Sequence, residues 1–354
     1  MKKKITIHDV SKALGVDSST VSRALNDSPR VKQKTKDLIV NKAKELGYQR
    51  NRLASKLRTN KSHTIGVIVP RISRHYFSSA IAGIEEASFD GGFEVIICQS
   101  LESLEREKKL VNTLLSNRVD GILISISMET TEFEHLNNYK YQGFPIIFFD
   151  RPCNIEENTN VIIDDFEASF KATEYLIKTG CKNIIHFSGP QTLDLYRRRL
   201  NGFKEALKKH NLKPNPQFIL ESRLMQEDGI KNAKKILNLP LVDGVFSAND
   251  TAAISAMQYL KTQGKSIPND IAFIGFSNEP ISAVMVPSLT TVQQPDFKMG
   301  YEATKLLLKD INDGNNDHST ITKVFSTNLI LRESTKKIPE ITGELGSNVI
   351  TQNE

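Results

Sequence analysis

Apolar residues return every three or four positions in three short stretches before residue 48, and that spacing predicts helices. In the first, Val10, Ala13 and Leu14 share a face behind a Thr6-x-x-Asp9 start of the capping-box kind. Gly15 follows, a residue type that takes a positive φ without strain. In the second, Asp17 is placed to cap and Val21, Ala24 and Leu25 form the apolar side. In the third, Val31, Thr35, Leu38, Ile39, Lys42, Ala43 and Leu46 run to a stop at Gly47-Tyr48. Three such helices predict a small bundle whose first two members form a helix-turn-helix.

From residue 65 the pattern changes to short apolar runs alternating with amphipathic stretches. The runs cover 65–69, 93–98, 121–126, 145–149, 161–163, 183–187, 218–220, 244–247 and 271–274. Helical spacing lies between them, near 77–90, 103–117, 165–179, 197–210, 226–238, 249–263 and 295–312. Runs that are apolar throughout, rather than alternating, predict parallel strands buried on both faces. Nine strands exceed one doubly wound sheet, so the pattern predicts two α/β lobes with a ligand cleft at the carboxyl ends of their strands. After Glu333 the chain turns polar without heptads, and disorder is expected there.

Charge sharpens the reading of the head. Residues 1–61 hold 16 Lys and Arg against 5 Asp and Glu, a net of +11 in a chain of +6, so the rest sums to −5. The polar face of the second helix carries Ser18, Ser19, Ser22 and Arg23. A cationic head on an acidic body is the footprint of a protein that neutralises DNA phosphates, with the second helix laid in the major groove. The plainer alternative for this pair is two packed helices, and for the Lys2-Lys3-Lys4 run a solvated tail, which leaves the asymmetry of head and body unexplained. Residues 49–62 are polar and basic, with one short amphipathic stretch at 52–58 that is too short to stand alone as a helix.

Several classes are disfavoured. No apolar run reaches the ~18 residues of a membrane helix, and Lys2 to Lys4 lead into no apolar segment of the secretory kind, so a cytoplasmic protein is expected. Cys98, Cys153 and Cys181 are odd in number and far apart, which reads as reduced structural thiols. No metal-ligand spacing, phosphate-binding glycine loop or nucleophile elbow occurs, so neither a metal, a cofactor nor an enzymatic activity is expected. Asp164, Asp165 and Asp250 read as helix caps or ligand acceptors rather than acid–base catalysts.

An ordered set of short motifs spans residues 4–333. In the head these are Thr6-Ile7-x-Asp9-Val10, Gly15-Val16, Thr20-Val21-Ser22-Arg23, Leu25-Asn26 and Glu45-Leu46-Gly47-Tyr48, followed by Asn51, Ala54 and Leu57. In the body they are Ile65-Gly66-Val67-Ile68-Val69-Pro70, Val119-Asp120-Gly121-Ile122, Arg199-Leu200-Asn201-Gly202-Phe203, Ala248-Asn249-Asp250 and Pro287-Ser288-Leu289-Thr290-Thr291-Val292. In this order they resemble the lactose and purine repressor family of bacterial transcription regulators, the LacI family. The resemblance implies an α-helical helix-turn-helix head (1–49), a hinge segment (50–63), a periplasmic-binding-protein-like (type I) two-lobed α/β body for effector binding and dimerisation (64–333), and a polar tail (334–354). It implies a homodimer on a pseudo-palindromic double-stranded operator, with a small carbohydrate-like effector in the cleft.

By position, the resemblance makes Ser18, Ser19 and Arg23 base-reading residues and Thr6, Ser22, Asn26 and Asn51 phosphate contacts. First-turn serines without a reading role, and an Arg23 that touches phosphate only, are the alternatives. Leu57 matches the leucine that paired hinge helices push into the minor groove. Tyr76, Phe77, Asp150, Arg199, Asn249 and Ser277 fall at effector positions. Three departures stand out. Ser277 replaces an aspartate that grips ligand hydroxyls, Arg74-His75 precedes the aromatics where Asn-Pro is usual, and Arg50 stands where proline is common. Effector binding is expected to change lobe closure and, through the dimer, the hinge; induction and corepression both fit.

Overall fold

Helices α1 (Ile7–Leu14), α2 (Ser18–Leu25) and α3 (Gln33–Glu45) build the head. The computed structural model describes residues 5–48, 61–153, 158–239, 241–313, 321–336 and 349–350, and the chain divides into two units between Ser62 and His63. Asn51 and Leu57 lie outside the described residues. The Thr6 backbone N–H and hydroxyl each reach the Asp9 carboxylate at 2.7 Å and start α1. Gly15 ends it at φ 65°, ψ 28°, the left-handed cap that lets α2 turn across α1. Val10, Val21, Ala24, Val31, Ile39 and Ala43 form the core between the three helices.

Three details correct the sequence reading. Ala13 is exposed, because the inward stripe of this two-turn helix runs through Ile7, Val10 and Leu14. Leu38 lies on the flank of α3 and is 53% exposed, while Ile39 and Ala43 face inward. Asp17 occupies the N-cap position of α2, but its side chain makes no capping bond.

The body opens with β1 (Thr64–Val69), β2 (Glu94–Gln99), β3 (Gly121–Ile124), β4 (Ile146–Phe149) and β5 (Thr159–Ile163), separated by helices. It continues through β6 (Ile184–Ser188), β7 (Ile219–Glu221), β8 (Gly244–Ser247), β9 (Ala272–Phe276) and β10 (Thr290–Gln293). Strands β11 (Thr322–Phe325), β12 (Asn328–Ile330) and β13 (Val349–Ile350) complete it. They form a six-stranded sheet of order β11-β5-β4-β3-β1-β2 and a seven-stranded sheet of order β13-β12-β10-β9-β8-β6-β7. All pairings are parallel except β10 with β12. The chain therefore passes between the lobes three times: after β5, after β10, and between β11 and β12.

Helices cover the sheets. In the first lobe the His75–Asp90 and Asp296–Asp313 helices meet backbone to backbone: a Cβ on Gly83 would sit 2.1 Å from the Phe297 carbonyl oxygen, and one on Gly300 would sit 2.0 Å from that of Ala80. That contact fixes the start of the His75–Asp90 helix, which faces the cleft. Two expectations change in the body. Strand β2 is a sheet edge, with Ile96 and Ile97 partly exposed rather than buried on both faces. The disorder expected after Glu333 does not hold for the part of the tail that is described: Ser334 and Thr335 are buried, and Val349–Ile350 pairs with β12, while 337–348 and 351–354 lie outside the described residues. The Ser334 hydroxyl donates to the Phe273 carbonyl at 2.7 Å, which ties this segment to β9. Among the described residues, no helix is long and apolar enough to cross a membrane.

Candidate functional site

Two surfaces carry polar chemistry, one in each unit. In the head, α2 turns ~100° per residue, so Ser18, Ser19, Ser22, Arg23 and Asn26 share an arc of about 140° opposite the buried Val21 and Ala24. Ser19, Arg23 and Asn26 are exposed, and Ser18 and Ser22 half-buried. Arg23 has no ion pair among the described residues, so its guanidinium fork is uncommitted. The Ser18 hydroxyl lies 2.9 Å from His8 Nδ1, which ties the start of α2 to α1. The Asn26 amide donates to the Ser22 carbonyl at 2.7 Å. Both Thr6 donors are held by Asp9, so a phosphate contact from Thr6 requires its hydroxyl to turn away from that carboxylate.

In the body, Tyr76, Phe77, Asp150, Arg199, Asn249 and Ser277 all line one cavity of about 230 Å³ between the lobes. That volume leaves room for a small polar molecule of monosaccharide size. Its walls are built where strands end. Asp150 and Arg151 follow β4, Ala248 and Asn249 follow β8, Ser277 follows β9 and Gln294 follows β10.

Arg199 is set rigidly. Its Nε donates to Asp165 at 2.7 Å, its Nη1 to the Ala248 carbonyl at 2.8 Å, and its guanidinium lies 3.5 Å from the Phe276 ring centroid. Asp150 adopts φ 65° and accepts from the Ser125 hydroxyl at 3.2 Å. Burial pushes its carboxyl above the usual range, against the pull of Arg151 and Arg199. Asn249 is the N-cap of the Asp250–Thr262 helix: its oxygen accepts from the Ala252 N–H and its amide donates to the Leu224 carbonyl, both at 2.9 Å. Much of its polar capacity is thus spent on building the wall. Tyr76 and Phe77 pack edge to face, each only 5% exposed, so they offer a ligand little more than ring edges. Ser277, at φ 105°, donates to the Gln294 side-chain oxygen at 3.1 Å. Gln294 Nε2 is buried with no partner among the described residues.

Sequence reasoning missed a large part of this lining. Glu102 and Arg151 form a buried two-pronged pair, at 2.7 and 3.0 Å, with Arg151 also donating to the Ile126 carbonyl at 2.7 Å. Burial raises the Glu102 carboxyl, and Arg151 overcomes this and holds it below its ordinary value. The one signal available was position: Arg151 follows directly on an apolar run that ends at a strand's carboxyl end. Tyr196, Arg71 and Gln294 carried no such signal.

Comparisons with known proteins agree with this architecture. The description "Bacterial regulatory proteins, lacI family" matches residues 6–51, and "Periplasmic binding protein-like domain" matches residues 173–335. The ribose operon repressor of Halalkalibacterium halodurans is 32% identical over 333 residues, covering 94% of this chain and 97% of its own. A solved complex of the transcriptional regulator CelR with cellobiose is 27% identical, with a TM-score of 0.71, covering 93% of this chain and 99% of the other. The lac repressor dimer bound to operator and the anti-inducer ONPF shares the fold, with a TM-score of 0.83 at 24% identity, covering 94% of this chain and 99% of the other. The chain belongs to the lacI family of bacterial regulatory proteins, with a helix-turn-helix head on a periplasmic-binding-protein-like body.

Proposed function

We propose that this chain is a cytoplasmic transcription repressor that binds a pseudo-palindromic double-stranded operator as a homodimer and is controlled by a small polar, carbohydrate-like effector held in the cleft. It acts by binding, without turnover of the effector. The observation that carries this reading is the convergence of six side chains, from five separate places in the sequence, on one cavity between the lobes. A ligand there touches both lobes and so biases their closure, which is what a two-state coupling needs.

On DNA, Arg23 reads a guanine edge through two N–H donors while Ser18 and Ser19 read by shape or through water. Ser22, Asn26, Asn51 and, once its hydroxyl is released, Thr6 contact phosphates. Leu57 is the minor-groove wedge, effective only when two hinge segments lie side by side. The pairing has a surface to draw on. Phe89, Ile96 and Ile97 in the first lobe and Ile281, Val284 and Val286 in the second are exposed apolar side chains of a kind a second copy would cover.

The direct test is operator selection with the full-length protein. Arg23→Ala is expected to cost ~1–3 kcal/mol and to relax one operator position in each half-site. An unchanged selection profile would remove Arg23 from the base-reading set.

A further inference from the structure

We infer that the effector carries an anionic group, a carboxylate or phosphate on a monosaccharide-sized polyol, received by Arg74 with Arg71 beside it; this rests on the cleft being the effector site. Five arginines line the cavity, and their commitments differ. Arg151 is matched by Glu102 and Arg199 by Asp165, both as buried pairs. Arg223 lies at the exposed rim, 3.6 Å from Glu129. Arg71 and Arg74 have no carboxylate within ion-pair distance among the described residues. Arg74 is half-buried and meets only neutral acceptors, the Thr251 hydroxyl and the Met225 sulfur, the latter at 3.3 Å. A thioether is a weak acceptor, so the guanidinium keeps most of its capacity for a planar or tetrahedral anion.

Arg74 belongs to the first lobe, and Thr251 and Met225 to the second. An anion on Arg74 would therefore sit at the seam where closure is decided. The acceptors of the cavity are placed for hydroxyls rather than for a second cation. Asp150 is half-buried at the end of β4, and Glu279 and Glu227 stand on the second lobe. Ser277 and Gln294 offer a neutral pair, with a buried amide donor, at the position where Ser277 replaces a gripping carboxylate. An acidic sugar satisfies both halves of this lining, whereas a neutral sugar leaves Arg74 without a counter-charge.

The test is calorimetric titration of the full-length protein with matched sets: glucose, glucuronate and glucose 6-phosphate; galactose and galacturonate; ribose and ribose 5-phosphate. At least one anionic member should bind about tenfold or more tightly than its neutral counterpart, and the sets separate a carboxylate preference from a phosphate one. Arg74→Met should abolish that preference and Arg74→Lys, which keeps the charge, should retain part of it. A neutral sugar that binds as tightly as its acids, or an anion affinity unchanged in Arg74→Met, overturns the inference while leaving the cleft as the effector site. If the protein binds its operator and no member of the panel binds the cleft or alters that affinity, both the inference and the reading of the cleft fall.

Discussion

Arg199 shows how a residue that lines the cavity can also be a part of the fold. Its charge is buried against Asp165, with Phe276 beneath it and the Ala248 carbonyl in front. Removing one partner of a buried ion pair leaves the other uncompensated, at a cost of ~3–5 kcal/mol. Arg199→Ala is therefore expected to lower the unfolding free energy by about that amount in urea denaturation, and adding Asp165→Asn should restore a large share. A fully stable Arg199→Ala protein would mean the pair is cheap to break. The identity of Arg199 was readable in the sequence because it opens a recognisable motif, but its partner was not: Asp165 reads as a helix cap or a ligand acceptor until the fold brings it 2.7 Å from Arg199. Glu102 and Arg151 stayed hidden for the same reason, being 49 residues apart in the chain.

At the scale of elements, hydrophobic pattern located the runs that became β1 to β9 and the long helices, because these bury continuous apolar stripes. It missed β10, whose Thr290 and Thr291 are buried polar residues that bond to Ser334 and Asp250 rather than to water. It missed the Glu134–Lys140 helix, where only Leu136 is buried and no stripe exists. The Asp250–Thr262 helix adds a pH dependence. Asp250 accepts from the Thr291 hydroxyl at 2.6 Å and the Glu279 N–H at 2.8 Å, tying this helix to the segments that carry Ser277 and β10. Burial pushes its carboxyl up to about 7, against the effect of those bonds. An unfolded aspartate titrates near ~3.9, so the native state holds a proton that the unfolded state releases between these values. The stabilising contribution of Asp250 is thus full below about pH 4 and is lost as pH rises through about 7. Asp250→Asn cannot titrate, so its stability deficit in urea should be smaller at about pH 8 than at about pH 5. A deficit independent of pH would contradict the assignment.

The whole molecule carries a basic head on an otherwise acidic chain, and the two lobes of its body are joined at three chain crossings. The edge position of β2 was illegible beforehand, since an apolar run at a sheet edge looks the same in sequence as one at the centre. Its exposed isoleucines become intelligible once a second copy is considered. Occupancy of the cleft is proposed to set the affinity of a dimer for an inverted repeat. Fluorescence-anisotropy titration of the full-length protein against the inverted repeat and against a single half-site, with and without a cleft ligand, tests it most directly. The expected result is much tighter binding to the inverted repeat, shifted by the ligand by roughly 5–150-fold, corresponding to ~1–3 kcal/mol of coupling. Equal affinity for both DNAs, untouched by a ligand shown to occupy the cleft, would contradict it.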